Sequence, residues 1–96
     1  MPVVIKSYLV DNIPNGTDSQ ILRYTGSKFS LVLVSDFGHA RTALYMVPRW
    51  SAVSAIKVAG DDEVVWIHRD STGGSPYYRN VTGQTNGFYI LEILGY

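Results

Sequence analysis

Phe29-Ser30-Leu31-Val32-Leu33-Val34 and Gly87-Phe88-Tyr89-Ile90-Leu91-Glu92-Ile93-Leu94 carry bulky apolar side chains at odd and even positions alike. Successive strand residues point to opposite faces of a sheet, so a lone antiparallel sheet with one wet side should alternate apolar and polar. A chain of 96 residues cannot cover both faces of many strands with its own elements. Either the outer positions of a small sandwich are unusually apolar, or a second copy of the chain covers them. The second alternative points to an oligomeric binding or structural module.

The rest of the sequence is all-β in rhythm. Val, Ile, Thr, Tyr, Phe and Trp fill the runs, and Gly, Asn, Asp, Ser and Pro punctuate them every 8–12 residues or so. Eight strands are predicted, over residues 3–10, 20–24, 28–37, 41–47, 52–58, 63–69, 77–81 and 87–94. No stretch has a persuasive amphipathic helical period. Residues 51–59 hold three alanines, but Val53, Ile56 and Val58 favour a strand. Eight short strands in one domain spanning residues 1–96 predict a small antiparallel β-sandwich of jelly-roll type.

Composition narrows the function. Charged residues are 17% of the chain, against roughly 25% in an average soluble domain. The net charge is zero, with eight basic and eight acidic residues and no run of either. A nucleic-acid binder needs a basic stripe, and an anionic membrane surface needs the same. No window approaches the roughly 20 apolar residues of a membrane helix, and the start lacks the pattern of a secretory signal. There is no cysteine, so neither disulfides nor thiolate metal sites reinforce so small a core. Self-association is the remaining common device.

No constellation makes a convincing catalyst. Asp61-Asp62-Glu63 lacks the ligand spacing of a calcium loop and reads as a solvated turn. Ser35, Asp36 and His39 lie within one turn, too close along the chain to converge on an oxyanion hole. Asp36, Asp61, Asp62, Asp70 and Glu92 include no pair singled out for glycoside chemistry. His68 has no second histidine or spaced acid beside it, so a metal site is not expected. Asn15-Gly16-Thr17 and Asn80-Val81-Thr82 match the N-glycosylation pattern only as turn residues.

The aromatic residues say more. Trp66 and Phe88 read as core. Tyr77-Tyr78 follows a Gly-Gly-Ser-Pro loop, so one ring points in and the other out, and Trp50 sits between Arg49 and Ser51 after Pro48. Ring faces beside forked polar groups suit both sugar recognition and subunit interfaces. The expected ligand contacts are therefore Trp50, Tyr77 and Tyr78, with Arg49, Arg79 and Asn80 supplying hydrogen bonds. No cofactor or metal is expected.

Within residues 41–96 the order of phrases is Leu44-Tyr45-Met46-Val47, then Ser54-Ala55-Ile56-Lys57-Val58-Ala59-Gly60. An acidic turn and a Trp-centred strand follow, then Ser71-Thr72-Gly73-Gly74, Tyr78-Arg79-Asn80-Val81-Thr82-Gly83 and a closing apolar strand. This order resembles the small C-terminal receptor-binding head modules of bacteriophage and prophage tail-fibre proteins. The resemblance implies a non-catalytic, homotrimeric β-sandwich at a fibre tip that contacts a host-surface receptor or glycan, and a virion-associated location. Without it, the expected location is the cytoplasm. The alternatives are a purely structural virion or particle subunit and, with less behind it, a small hydrolase.

Overall fold

The computed structural model describes residues 2–19, 29–37, 41–47, 54–60, 64–68 and 77–96. The described residues form strands and no helix: β1 (Val3–Ile13), β2 (Asp18–Ser19), β3 (Phe29–Asp36), β4 (Thr42–Met46), β5 (Ile56–Gly60), β6 (Val65–His68), β7 (Tyr77–Asn80) and β8 (Asn86–Gly95). All pairings are antiparallel. A five-stranded sheet runs β1-β8-β3-β4-β5, and a three-stranded sheet runs β2-β7-β6.

Most of the expected strands are present with shifted ends. The strand expected at 20–24 lies outside the described residues, as do positions 52 and 53 of the one expected at 52–58. The first strand runs past its expected end at Val10, through Asp11 and Asn12 to Ile13. It does so through a bulge, because Val10 faces Phe88 while Ile13 faces Asn86. Asn12 takes the left-handed conformation there, φ 55°, which asparagine tolerates better than most side chains. A second bulge, at Val58, separates the Leu44–Ala59 and Tyr45–Lys57 pairs. Beyond it Gly60 has φ 95°, and a Cβ there would strike the backbone of Thr42 and Ala43.

Strand alternation sorts the apolar side chains. In β3, Ser30, Val32, Val34 and Asp36 turn inward, and Phe29, Leu31 and Leu33 turn outward. In β8, Phe88, Ile90, Glu92 and Leu94 are buried, while Tyr89 and Ile93 are exposed. The inward side chains of both sheets share one core: Val32, Val34 and Ile90 from the large sheet meet Val65, Ile67 and Tyr78 from the small one. Two hydroxyls tie the sheets together across it. Tyr45 Oη donates to the Val65 carbonyl at 2.8 Å, and Tyr78 Oη donates to Glu92 Oε1 at 3.1 Å.

Glu92 is fully buried in the central strand and also accepts a hydrogen bond from Tyr8 Oη at 3.0 Å. Burial pushes its carboxyl above the usual range, and the two tyrosines and the Lys6 charge pull the other way. Asp36, also buried, accepts from Arg41 Nε at 3.0 Å. Among the described residues no buried side-chain nitrogen or oxygen lacks a partner. A buried acid is tolerated only on those terms.

The outward face of the large sheet is a different surface. Register places Ile5, Ile93, Leu31, Met46 and Ile56 in one row across all five strands. The next row is Ser7, Leu91, Leu33, Leu44 and Ala59, and the third is Leu9, Tyr89, Ser35 and Thr42. None of these fourteen positions is charged. The two-faced apolar runs of the sequence thus resolve into a core side and an exposed apolar side.

Candidate functional site: the outer face of the small sheet

The small sheet has the opposite chemistry. Its register pairs Trp66 with Arg79, His68 with Tyr77, and Asp18 with Arg79. Since Ile67 and Tyr78 turn into the core, alternation puts Trp66, His68, Tyr77, Arg79 and Asp18 together on the outer face.

These five side chains lock one another in place. The Trp66 and His68 rings stack with centroids 4.1 Å apart and planes 13° from parallel, and Tyr77 lies 5.7 Å from His68. The Arg79 guanidinium carbon sits 4.9 Å from the Trp66 ring centre, within cation–π range. Arg79 also forks onto Asp18, with Nε to Oδ1 at 2.8 Å and Nη2 to Oδ2 at 3.1 Å. His68 Nε2 lies 3.1 Å from the same Oδ1. The Arg79 hydrogen bond, helped by His68, holds the Asp18 carboxyl below its ordinary range against a smaller opposing effect of burial. His68 is the buried centre of the group, whereas Trp66 remains 42% exposed.

Trp66 also borders an open depression of about 380 Å³ near the edge where Ser54 and Ala55, just before β5, bridge to β6. Tyr45, Ala55, Lys57, Val65, Ile67 and Val81 complete its lining. That volume falls within the usual range of small-molecule sites. An exposed ring beside a neutral guanidinium–carboxylate pair suits a hydroxylated ligand with an apolar side. Among the described residues no group of three potential metal ligands occurs.

The expected ligand contacts separate. Tyr77 and Arg79 lie on this face. Tyr78 and Asn80 are buried, so neither is available to a ligand on the outer face. Tyr78 Oη holds Glu92. Asn80 Nδ2 donates to the Ile13 and Gln84 carbonyls, each at 2.7 Å, and its Oδ1 accepts from the Thr82 amide and hydroxyl. Asn80 therefore fastens the β7–β8 turn to the end of β1. Arg49 and Trp50 lie outside the described residues, as do His39, Asp61, Asp62, Glu63 and Asp70.

Trp66 was expected in the core and is instead half open on the surface. Its strand is an edge strand, and its outer side faces no other described layer. Asp18 supplies the acid that the neighbourhood of His68 lacks in sequence, from 50 residues away. A signal for the site was present in Trp66-x-His68 and Tyr77-x-Arg79, two alternating pairs that align only once β6 and β7 are in register. Comparison with protein-family models, curated proteins and solved structures finds no match to this chain.

Proposed function

We propose that this chain is a non-catalytic head module that associates with copies of itself and binds a host-surface receptor or glycan. In this reading the two sheets form a small sandwich of jelly-roll type, like the tail-fibre heads that residues 41–96 resemble, with a trimer as the assembly that the resemblance implies. The observation that carries the binding role is the pre-organised outer face of the small sheet. There a locked Arg79–Asp18 fork lies against an exposed tryptophan that borders a depression. Sugar C–H surfaces can lie against the exposed ring and its apolar neighbours. Hydroxyls can accept from the guanidinium and donate to the carboxylate, whose charges cancel. Because the side chains are already held by one another, little rotamer freedom is lost on binding.

A glycan array probed with the purified protein tests this reading, followed by calorimetry on any sugar it captures. Trp66→Ala should weaken binding by about 1–3 kcal/mol, by analogy with the stacking of bases on rings. Oligomeric mass should not change. An array without signal, or binding untouched by Trp66→Ala and Arg79→Ala, refutes the assignment. The exposed apolar face of the large sheet favours a second reading, a structural subunit whose partners are copies of itself.

A further inference from the structure

We infer that the outward face of the five-stranded sheet is where a second copy of this chain docks, sheet against sheet. The inference rests on the self-association in the proposed function, takes a two-fold pair in place of the trimer as its assembly, and is independent of the ligand.

The size of the face argues for it. Ile5 is 65% exposed, Phe29 63% and Tyr89 57%, and Leu33, at the centre, is still 36% exposed. With Val3, Leu9, Leu31, Met46, Ile56 and Ile93, ten large side chains on this side are about half exposed on average. At about 200 Å² for a fully exposed large side chain, they present roughly 1,000 Å². That is about a fifth of the 5205 Å² surface of the chain. The largest apolar patch of an ordinary monomer is about 300–600 Å². A symmetric pair closing on this face would bury roughly 2,000 Å², enough for a stable interface of about 1,600 Å².

Shape and charge select the occupant. A broad sheet face is matched by another sheet face, packed about 10 Å away as in any two-layer β structure. The three rows contain no charged side chain. In a two-fold contact the same patch meets itself, so a charge near the axis would meet its like and one elsewhere would need an opposite charge on the same patch. A face without charge is free of that cost. A membrane-binding surface is instead ringed by Lys and Arg, and this chain has no basic cluster. Between the rows lies a shallow depression lined by Ser7, Leu9, Leu33, Ser35, Tyr89 and Leu91, into which side chains of an opposing copy can settle.

Sedimentation velocity and light scattering on the full chain at micromolar concentration test this, alongside Leu33→Glu at the centre and Ile5→Glu at the rim. Far-ultraviolet circular dichroism checks that each variant keeps its β spectrum, and Ile5→Glu, at an already exposed position, decides if Leu33→Glu does not fold. The expected result is an oligomeric wild type whose dissociation constant rises at least about tenfold in a folded variant. A monomeric wild type overturns both the self-association reading and this face. An oligomer that survives in both folded variants overturns the face alone. Flotation of monomeric protein with phosphatidylcholine vesicles assigns the surface to lipid and also overturns it.

Discussion

Replacing Tyr78 by Phe tests whether the buried carboxylate of Glu92 is held in place by its tyrosine donors. The substitution keeps the ring in the core and removes only the hydroxyl, which donates to Glu92 Oε1 at 3.1 Å. A hydrogen bond to a charged group contributes about 1.5–3 kcal/mol, and in a domain of this size each kcal/mol moves Tm by about 4–8 °C. A fall in Tm of roughly 6–24 °C at about pH 7 follows for an ionised Glu92. The pH dependence distinguishes this from a simple packing loss. Burial raises the folded-state pKa of Glu92 above its ordinary value. The folded chain then holds the proton more tightly than the unfolded one, and stability falls as pH rises from the ordinary carboxylate value through the raised one. Without the Tyr78 hydroxyl the folded value rises further, so the interval of decline widens. The gap between wild type and variant should therefore grow from about 1 kcal/mol near the ordinary carboxylate value, where only a neutral hydrogen bond is lost, as pH rises through the raised one. Thermal melts followed by circular dichroism across that range give the measurement. A gap that is constant with pH, or a variant as stable as wild type at neutrality, refutes the reasoning.

Other outcomes follow from the same structure. Asn80→Ala strands the Ile13 and Gln84 carbonyls and the Thr82 donors that Asn80 now satisfies. It should cost about 2–4 kcal/mol in urea unfolding, and a loss below about 0.5 kcal/mol contradicts that role. Gly60→Ala places a methyl group against the Thr42 backbone at a positive φ and should destabilise by more than about 1 kcal/mol. A neutral result there contradicts the observed β4–β5 bulge. At alkaline pH, Tyr8 is pushed up to about 12 from 10.0 by burial and by Glu92. The unfolded chain loses that proton first, so stability should fall between about pH 10 and 12, and Tyr8→Phe should flatten the slope. Unfolding curves parallel for the two proteins over that interval would count against the Tyr8–Glu92 contact.

The outward ladder was legible only in fragments. Alternation in the run 65–68 puts Trp66 and His68 on one side of a strand and leaves open whether that side is wet. The answer depends on what lies beyond β6, and no other described layer covers its outer side. Asp18 was invisible as a partner, because a two-residue strand has no periodicity to read and its contact to Arg79 spans 61 residues. Asn80 looked like a surface turn residue for a related reason. A buried asparagine is stable only when all its hydrogen bonds are met, and its partners come from the Ile13 and Gln84 carbonyls brought together by folding.

The all-β class was legible in the residues alone, because β-branched and aromatic runs are punctuated by turn residues every 8–12 positions or so. The sequence by itself also determined that some strands carry apolar side chains on both sides, since Phe29–Val34 and residues 87–94 say so residue by residue. Which side became core, and whether the other stayed exposed, was decided by the tertiary structure. The small sheet covers one side of the large one, and pairing register lines up Ile5, Ile93, Leu31, Met46 and Ile56 into a continuous apolar row on the other. Local periodicity fixes the direction of each side chain relative to its own strand. Only long-range pairing decides which neighbours share that direction.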